Sequence, residues 1–62
     1  MEEIGKVHGK HHSYVVTKDS GLFATKYYLI RDDGKAYGSY GSRAAAFRAA
    51  HEKAGHGSYE TT

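Results

Sequence analysis

The strongest constraint on this chain is a change of hydrophobic period after Gly41. Before it, β-branched and aromatic residues recur in short runs separated by Asp- and Gly-containing turns. After it, Ser42 to Ala54 reads Ser-Arg-Ala-Ala-Ala-Phe-Arg-Ala-Ala-His-Glu-Lys-Ala, a composition dominated by the best helix former. Ser42 can cap the first turn with its hydroxyl, and Gly55 is a natural stop. At 3.6 residues per turn Ala46, Phe47, Ala50 and Ala54 share one face, with Arg48 and Glu52 opposite. Such a face is mostly methyl groups with one large plug, so it can lie close on a sheet.

The strand side of the switch predicts three segments. Ser13–Lys18 is the first. Asp19-Ser20-Gly21 turns the chain, and Phe23–Arg31 is the second and strongest. Asp32-Asp33-Gly34-Lys35 is a hairpin signal, because Gly fits the left-handed position, and Lys35–Tyr40 is the third strand. The expected fold is therefore α+β: a three-stranded antiparallel meander packed on one C-terminal helix, β-β-β-α. Residues 1–11 read as a flexible basic arm, 12–55 as the single folded domain, and 56–62 as a flexible tail.

With 62 residues the chain has room for one domain only. A domain of this size buries roughly 60% of the surface its unfolded form exposes. No cysteine is present to staple it. Its 39% hydrophobic and 26% charged residues are too apolar and aromatic for a wholly disordered chain. No run reaches the ~18 apolar residues of a membrane span, and residues 1–9 do not read as a secretory signal. A cytoplasmic protein with no membrane partner is expected. Nine Lys and Arg against seven Asp and Glu leave a net charge of +2, which permits a phosphate-binding surface without demanding one. Since Glu2, Glu3 and Glu60 lie near the ends, the stretch between them is more basic than the total.

One helix covers one face of a sheet, and the second strand is apolar on both. Alternation places Tyr28 and Ile30 on one side and Tyr27, Leu29 and Arg31 on the other. The first strand divides into Tyr14, Val16, Lys18 and Ser13, Val15, Thr17. Sequence alone does not fix which set meets Phe47. Either way aromatic and aliphatic surface stays uncovered, and it is read in one of two ways. It is a binding face for nucleic acid or protein, or it is surface over which the arm or tail folds or on which the Tyr residues stand singly with their hydroxyls in water.

The order strand, Arg-Asp-Asp-Gly hairpin, Gly-Ser-Tyr, Ala-rich helix resembles the DNA-binding domain of plant ethylene-response factors. It is also similar to the arm-binding domains of phage and transposon integrases. The likeness runs from Tyr28 to Ala54. Ile30-Arg31-Asp32 matches the family's Ile-Arg-Asp, and Gly38-Ser39-Tyr40 its Gly-Thr-Phe. Ser42 falls on its capping Thr, and Ala46-Phe47-Arg48-Ala49 on its Ala-Ala-Arg-Ala. The resemblance implies a sheet lying in the major groove with the helix behind it. Of the family's Arg and Trp reading positions, this chain keeps Arg31 and has no Trp. Carried over, Arg31 contacts a base or phosphate, and Lys18, Lys26 and Lys35 contact phosphates. In a nucleic-acid module whose sheet face enters a groove, Tyr27 packs on the nucleic acid. Lys10, His11 and His12 in the arm add nonspecific affinity.

Enzyme chemistry is not expected. Gly34, Gly38 and Gly41 match neither phosphate-loop spacing, and Asp32 and Asp33 read as turn formers. His51 reads as a packed helix residue and His56 as part of the tail, with nothing to orient either as a base. Adjacent His11 and His12 on a Gly-flanked arm do not make a structural metal site. No cofactor, metal or small-molecule substrate is expected. Two functions remain: a nucleic-acid module on double-stranded DNA, or a protein-binding accessory or inhibitor module of phage type. The latter would dock its Tyr/Leu sheet face or its sheet edge on a larger protein, or form a homodimer.

Overall fold

The computed structural model describes all 62 residues. Elements follow in the order β1 (Glu2–His8), β2 (Ser13–Ser20), β3 (Thr25–Arg31), β4 (Ala36–Tyr40), α1 (Arg43–Ala54) and β5 (Tyr59–Thr61). All strands join one antiparallel sheet in the spatial order β4-β3-β2-β1-β5. The meander and helix are as expected, but the sheet has five strands rather than three.

The two extra strands come from the segments expected as arm and tail. Residues 2–8 are β1, paired along β2 from Glu2↔Lys18 to His8↔Ser13. Their signal is hidden because the register shifts between Glu3 and Gly5, so Ile4 and Val7 do not alternate as strand residues should. Gly5 hides it further. It occupies an inward position because the Phe47 ring fills the space where its side chain would be: a Cβ there would stand 2.7 Å from Phe47 Cζ. β5 is three residues long and pairs with Lys6–His8, too short to be read as a strand.

The remaining elements follow the local chemistry closely. At the β3–β4 hairpin Gly34, with φ of 95°, donates its N–H to the Arg31 carbonyl at 2.8 Å. Ser42 caps α1, its Oγ accepting from the Ala45 N–H at 3.1 Å. Gly55 closes the helix, donating to the His51 carbonyl at 2.9 Å. The β2–β3 hairpin departs most. β2 continues to Ser20 and β3 begins only at Thr25, so Leu22 and Phe23 form the tip instead of opening a strand.

The core lies between α1 and one face of the sheet. Val7, Val16, Leu29, Ala46 and Ala50 are fully buried, with Tyr14 and Phe47 nearly so. Ala46, Phe47 and Ala50 are the helix face expected from periodicity, and Ala54 packs at its margin. No helix is long and apolar enough to cross a membrane.

Candidate functional site

Strand register decides which residues the helix covers. Val7 pairs with Tyr14 and Tyr14 with Arg31; Val16 pairs with Leu29 and Leu29 with Tyr37. These residues, with Tyr27, face α1. The other set faces away from it: Lys6, Val15, Ile30 and Ala36 in one cross-strand row, and Glu3, Thr17 and Tyr28 in the next.

The residues expected to touch nucleic acid are therefore dispersed. Arg31 and Tyr27 lie on the helix side of the sheet, and Tyr27 packs against the core. Leu29, expected to share an outward face with them, is fully buried, so the Tyr27/Leu29 face is not a docking surface. Arg31 is occupied within the chain. Its Nε donates to Asp33 Oδ1 at 2.8 Å, its Nη2 to Asp33 Oδ2, and its Nη1 to the Tyr37 hydroxyl at 3.3 Å. The Asp33 carboxylate raises the Arg31 pKa further, while the guanidinium holds Asp33 well below the usual carboxylate range. Lys18 lies on the helix side, opposite Tyr27 on β3 and Glu2 on β1. Lys35 lies in the β3–β4 turn with its ammonium 5.3 Å from the Tyr37 ring centre.

Lys10 and His11 are exposed in the link between β1 and β2. His12 is held there: its Nδ1–H donates to Asp32 Oδ1 at 2.8 Å, and this bond depresses the Asp32 pKa. Of the eight expected contacts only Lys26 reaches the open face, where it stands opposite Asp19.

What the open face carries instead is an apolar strip. Val15 and Ile30 are direct cross-strand partners, Ala36 continues the row, and Tyr28 lies beside it. The Tyr28 ring lies across β4 at Gly38, where a Cβ would meet it at 2.5 Å. Thr17 donates its hydroxyl to the Tyr28 carbonyl at 3.3 Å. The charges around the strip are Lys6 and Lys26 on one sign, Glu3 and Asp19 on the other. At the far end of the same ribbon Leu22 and Phe23 are 90% and 96% exposed.

A second arrangement appears at the C-terminal end of α1. His51 is bonded through Nδ1 to Ser58 Oγ at 2.7 Å and through Nε2 to Glu60 Oε1 at 2.9 Å. An ionised carboxylate only accepts, so Nε2 carries the proton and, in the neutral ring, Nδ1 accepts from the serine hydroxyl. The expectation that nothing orients His51 is thus corrected. Its partners lie seven and nine residues on, past a turn, where helix periodicity says nothing. Arg48, Glu52, Gly55 and His56 complete the rim of a shallow depression that has no apolar lining residue. The geometry fastens β5 to the helix.

No protein-family model matches this chain, and no curated protein or solved structure does either.

Proposed function

We propose that this is a small non-enzymatic interaction module that docks the open face of its β2–β3 ribbon on a protein partner. One observation carries the reading: Val15, Ile30 and Tyr28 form a continuous strip on the sheet face that α1 leaves bare. The exposed Leu22 and Phe23 extend the same ribbon, and aromatic residues such as Phe23 are enriched at protein interfaces.

The duplex-DNA reading suggested by the resemblance has less support. Five strands at ~4.8 Å spacing span about 19 Å, whereas the major groove is only ~12 Å wide. The open face balances two lysines with two carboxylates, so it lacks the cation excess that phosphate binding uses. Arg31, the one residue retained from the reading positions, is already bonded to Asp33.

The test pairs a titration with a crosslink. Labelled protein is titrated with a mixed-sequence duplex at low and physiological salt and followed by backbone NMR. The proposal expects no salt-sensitive shifts at Lys6, Lys26 and Tyr28. A photo-crosslinker at position 30 should trap one defined protein from an extract of the source cells at physiological salt. The yield should fall at least ten-fold in Tyr28→Ala, and a crosslinker at position 52 on the helix should trap none. Shifts on the open face that fade with salt would overturn the proposal in favour of nucleic acid.

A further inference from the structure

β5 is held to the sheet unlike any other strand. All three of its residues are exposed, and no residue beyond Ala54 belongs to the core or packs against it. What fastens it, apart from the ladder, is a pair of histidines on opposite sides of the sheet. On the open side His8 stacks on the Tyr59 ring, with centres 4.9 Å apart, and its Nε2 bonds Thr61 Oγ1 at 2.7 Å. On the helix side His51 bonds Ser58 and Glu60. The link from α1 is Gly55-His56-Gly57, in which both glycines have positive φ, and with no Cβ on either one other backbone conformations are sterically open to the link. Few buried contacts and exposed hydrogen bonds are the marks of an element that opens locally while the rest stays folded.

The strand it covers is only partly covered. β1 runs from Glu2 to His8, but β5 pairs with Lys6, Val7 and His8 alone. The edge of β1 over Glu2–Gly5 has no strand beside it. An incoming strand can therefore begin on that free stretch and extend over Lys6–His8 as β5 leaves.

From this arrangement we infer that the β1 edge is a binding site for an extended peptide segment, masked in the free protein by β5. The segment replaces β5 by strand addition, and the chain's own tail displays the chemistry required. An aromatic residue stacks on His8, the next residue offers a carboxylate to His51, and the one after offers a hydroxyl to His8. Continuing antiparallel past Lys6, the segment reaches Glu2 and Glu3, where a Lys or Arg is complementary. This site is the sheet edge rather than its open face, so it stands or fails separately from the docking proposed above.

The experiment uses the full chain and a fluorescent synthetic peptide of sequence Gly-Ser-Tyr-Glu-Thr-Thr followed by two lysines. An intramolecular strand competes at an effective concentration on the order of millimolar. The unaltered chain should therefore bind the peptide weakly, and a Tyr59→Ala, Glu60→Ala double variant at least ten-fold more tightly. Single N-methylation along the peptide should abolish binding at alternate positions only, because only alternate amides face β1. In the unaltered chain at millimolar peptide, NMR shifts should fall on residues 2–8 and 58–61. A folded double variant that takes up no peptide overturns the inference. So does N-methylation that acts equally at every position, or shifts centred on Tyr28 and Ile30 instead. A concentration-dependent dimer of the unaltered chain that exchanges β5 would assign the edge to a second copy and overturn the peptide assignment.

Discussion

Neighbouring residues of β3 have opposite fates, and the contrast is measurable. Leu29 is fully buried under α1, whereas Ile30 faces away from it and is half-buried. Leu29→Ala should cost about 2–5 kcal/mol, enough to unfold much of a domain this small. Ile30→Ala should cost markedly less. Urea denaturation of the two variants checks the order, and the reverse order would mean that the strand presents its other face to the helix. The β3–β4 turn sets the acid response. Asp32 and Asp33 are both depressed below their ordinary value of 3.8, Asp32 by His12 and Asp33 by Arg31. A carboxylate with a lowered folded-state pKa stabilises the fold above its unfolded value, and that contribution fades as pH falls through the folded one. The melting temperature should therefore drop as pH is lowered from about 5, within the range where paired carboxylates protonate. The drop should be shallower in Asp33→Asn. Both carboxylates are solvent-exposed, so the effect is a change of slope rather than a collapse.

Among the elements, β1 is the one whose role reverses the sequence expectation. If residues 1–11 were an arm, Gly5→Ala would be silent. Because a Cβ at Gly5 meets the end of the Phe47 ring, overpacking should instead cost about 1–3 kcal/mol. Thermal denaturation decides between the two. The helix, by contrast, was legible to its ends: Ser42, the Ala46/Phe47/Ala50 face and Gly55 all act as local chemistry indicates. Ser42→Ala should lower stability by about 0.5–2 kcal/mol, since it leaves the Ala45 N–H without its partner. The difference has a physical cause. A helix satisfies its backbone within its own segment, so its signal is local. A strand satisfies its backbone on neighbours elsewhere in the chain, and a three-residue strand such as β5 has almost no pattern of its own. Its amides should exchange with solvent faster than those of β2 and β3, a hydrogen-exchange prediction that follows from its full exposure.

Taken whole, the molecule is elongated, 36 × 21 × 18 Å, with α1 covering one sheet face and the β2–β3 ribbon ending in an exposed Leu22–Phe23 tip. A Leu22→Ser, Phe23→Ser double variant should leave the melting temperature nearly unchanged, because neither side chain supports the core. It should reduce the crosslink formed from position 30 if the tip belongs to the docking surface. Loss of folding in that variant would show that the tip packs on the body instead. What the sequence determined by itself was local: the period switch after Gly41, the helix and its caps, the Asp-Asp-Gly hairpin, and the presence of uncovered apolar surface on a sheet. Which surface that is depended on register. A strand has period two, so one choice of face moves every residue at once, and the choice was made by the distant packing of Leu29 and Val16 against Ala46 and Phe47. The same tertiary decision turned Arg31 and Tyr27 toward the helix, left Tyr28 and Ile30 bare, and recruited residues 2–8 and 59–61 as strands. None of these outcomes is encoded within a few residues of where it appears, because each depends on pairing between segments far apart in the chain.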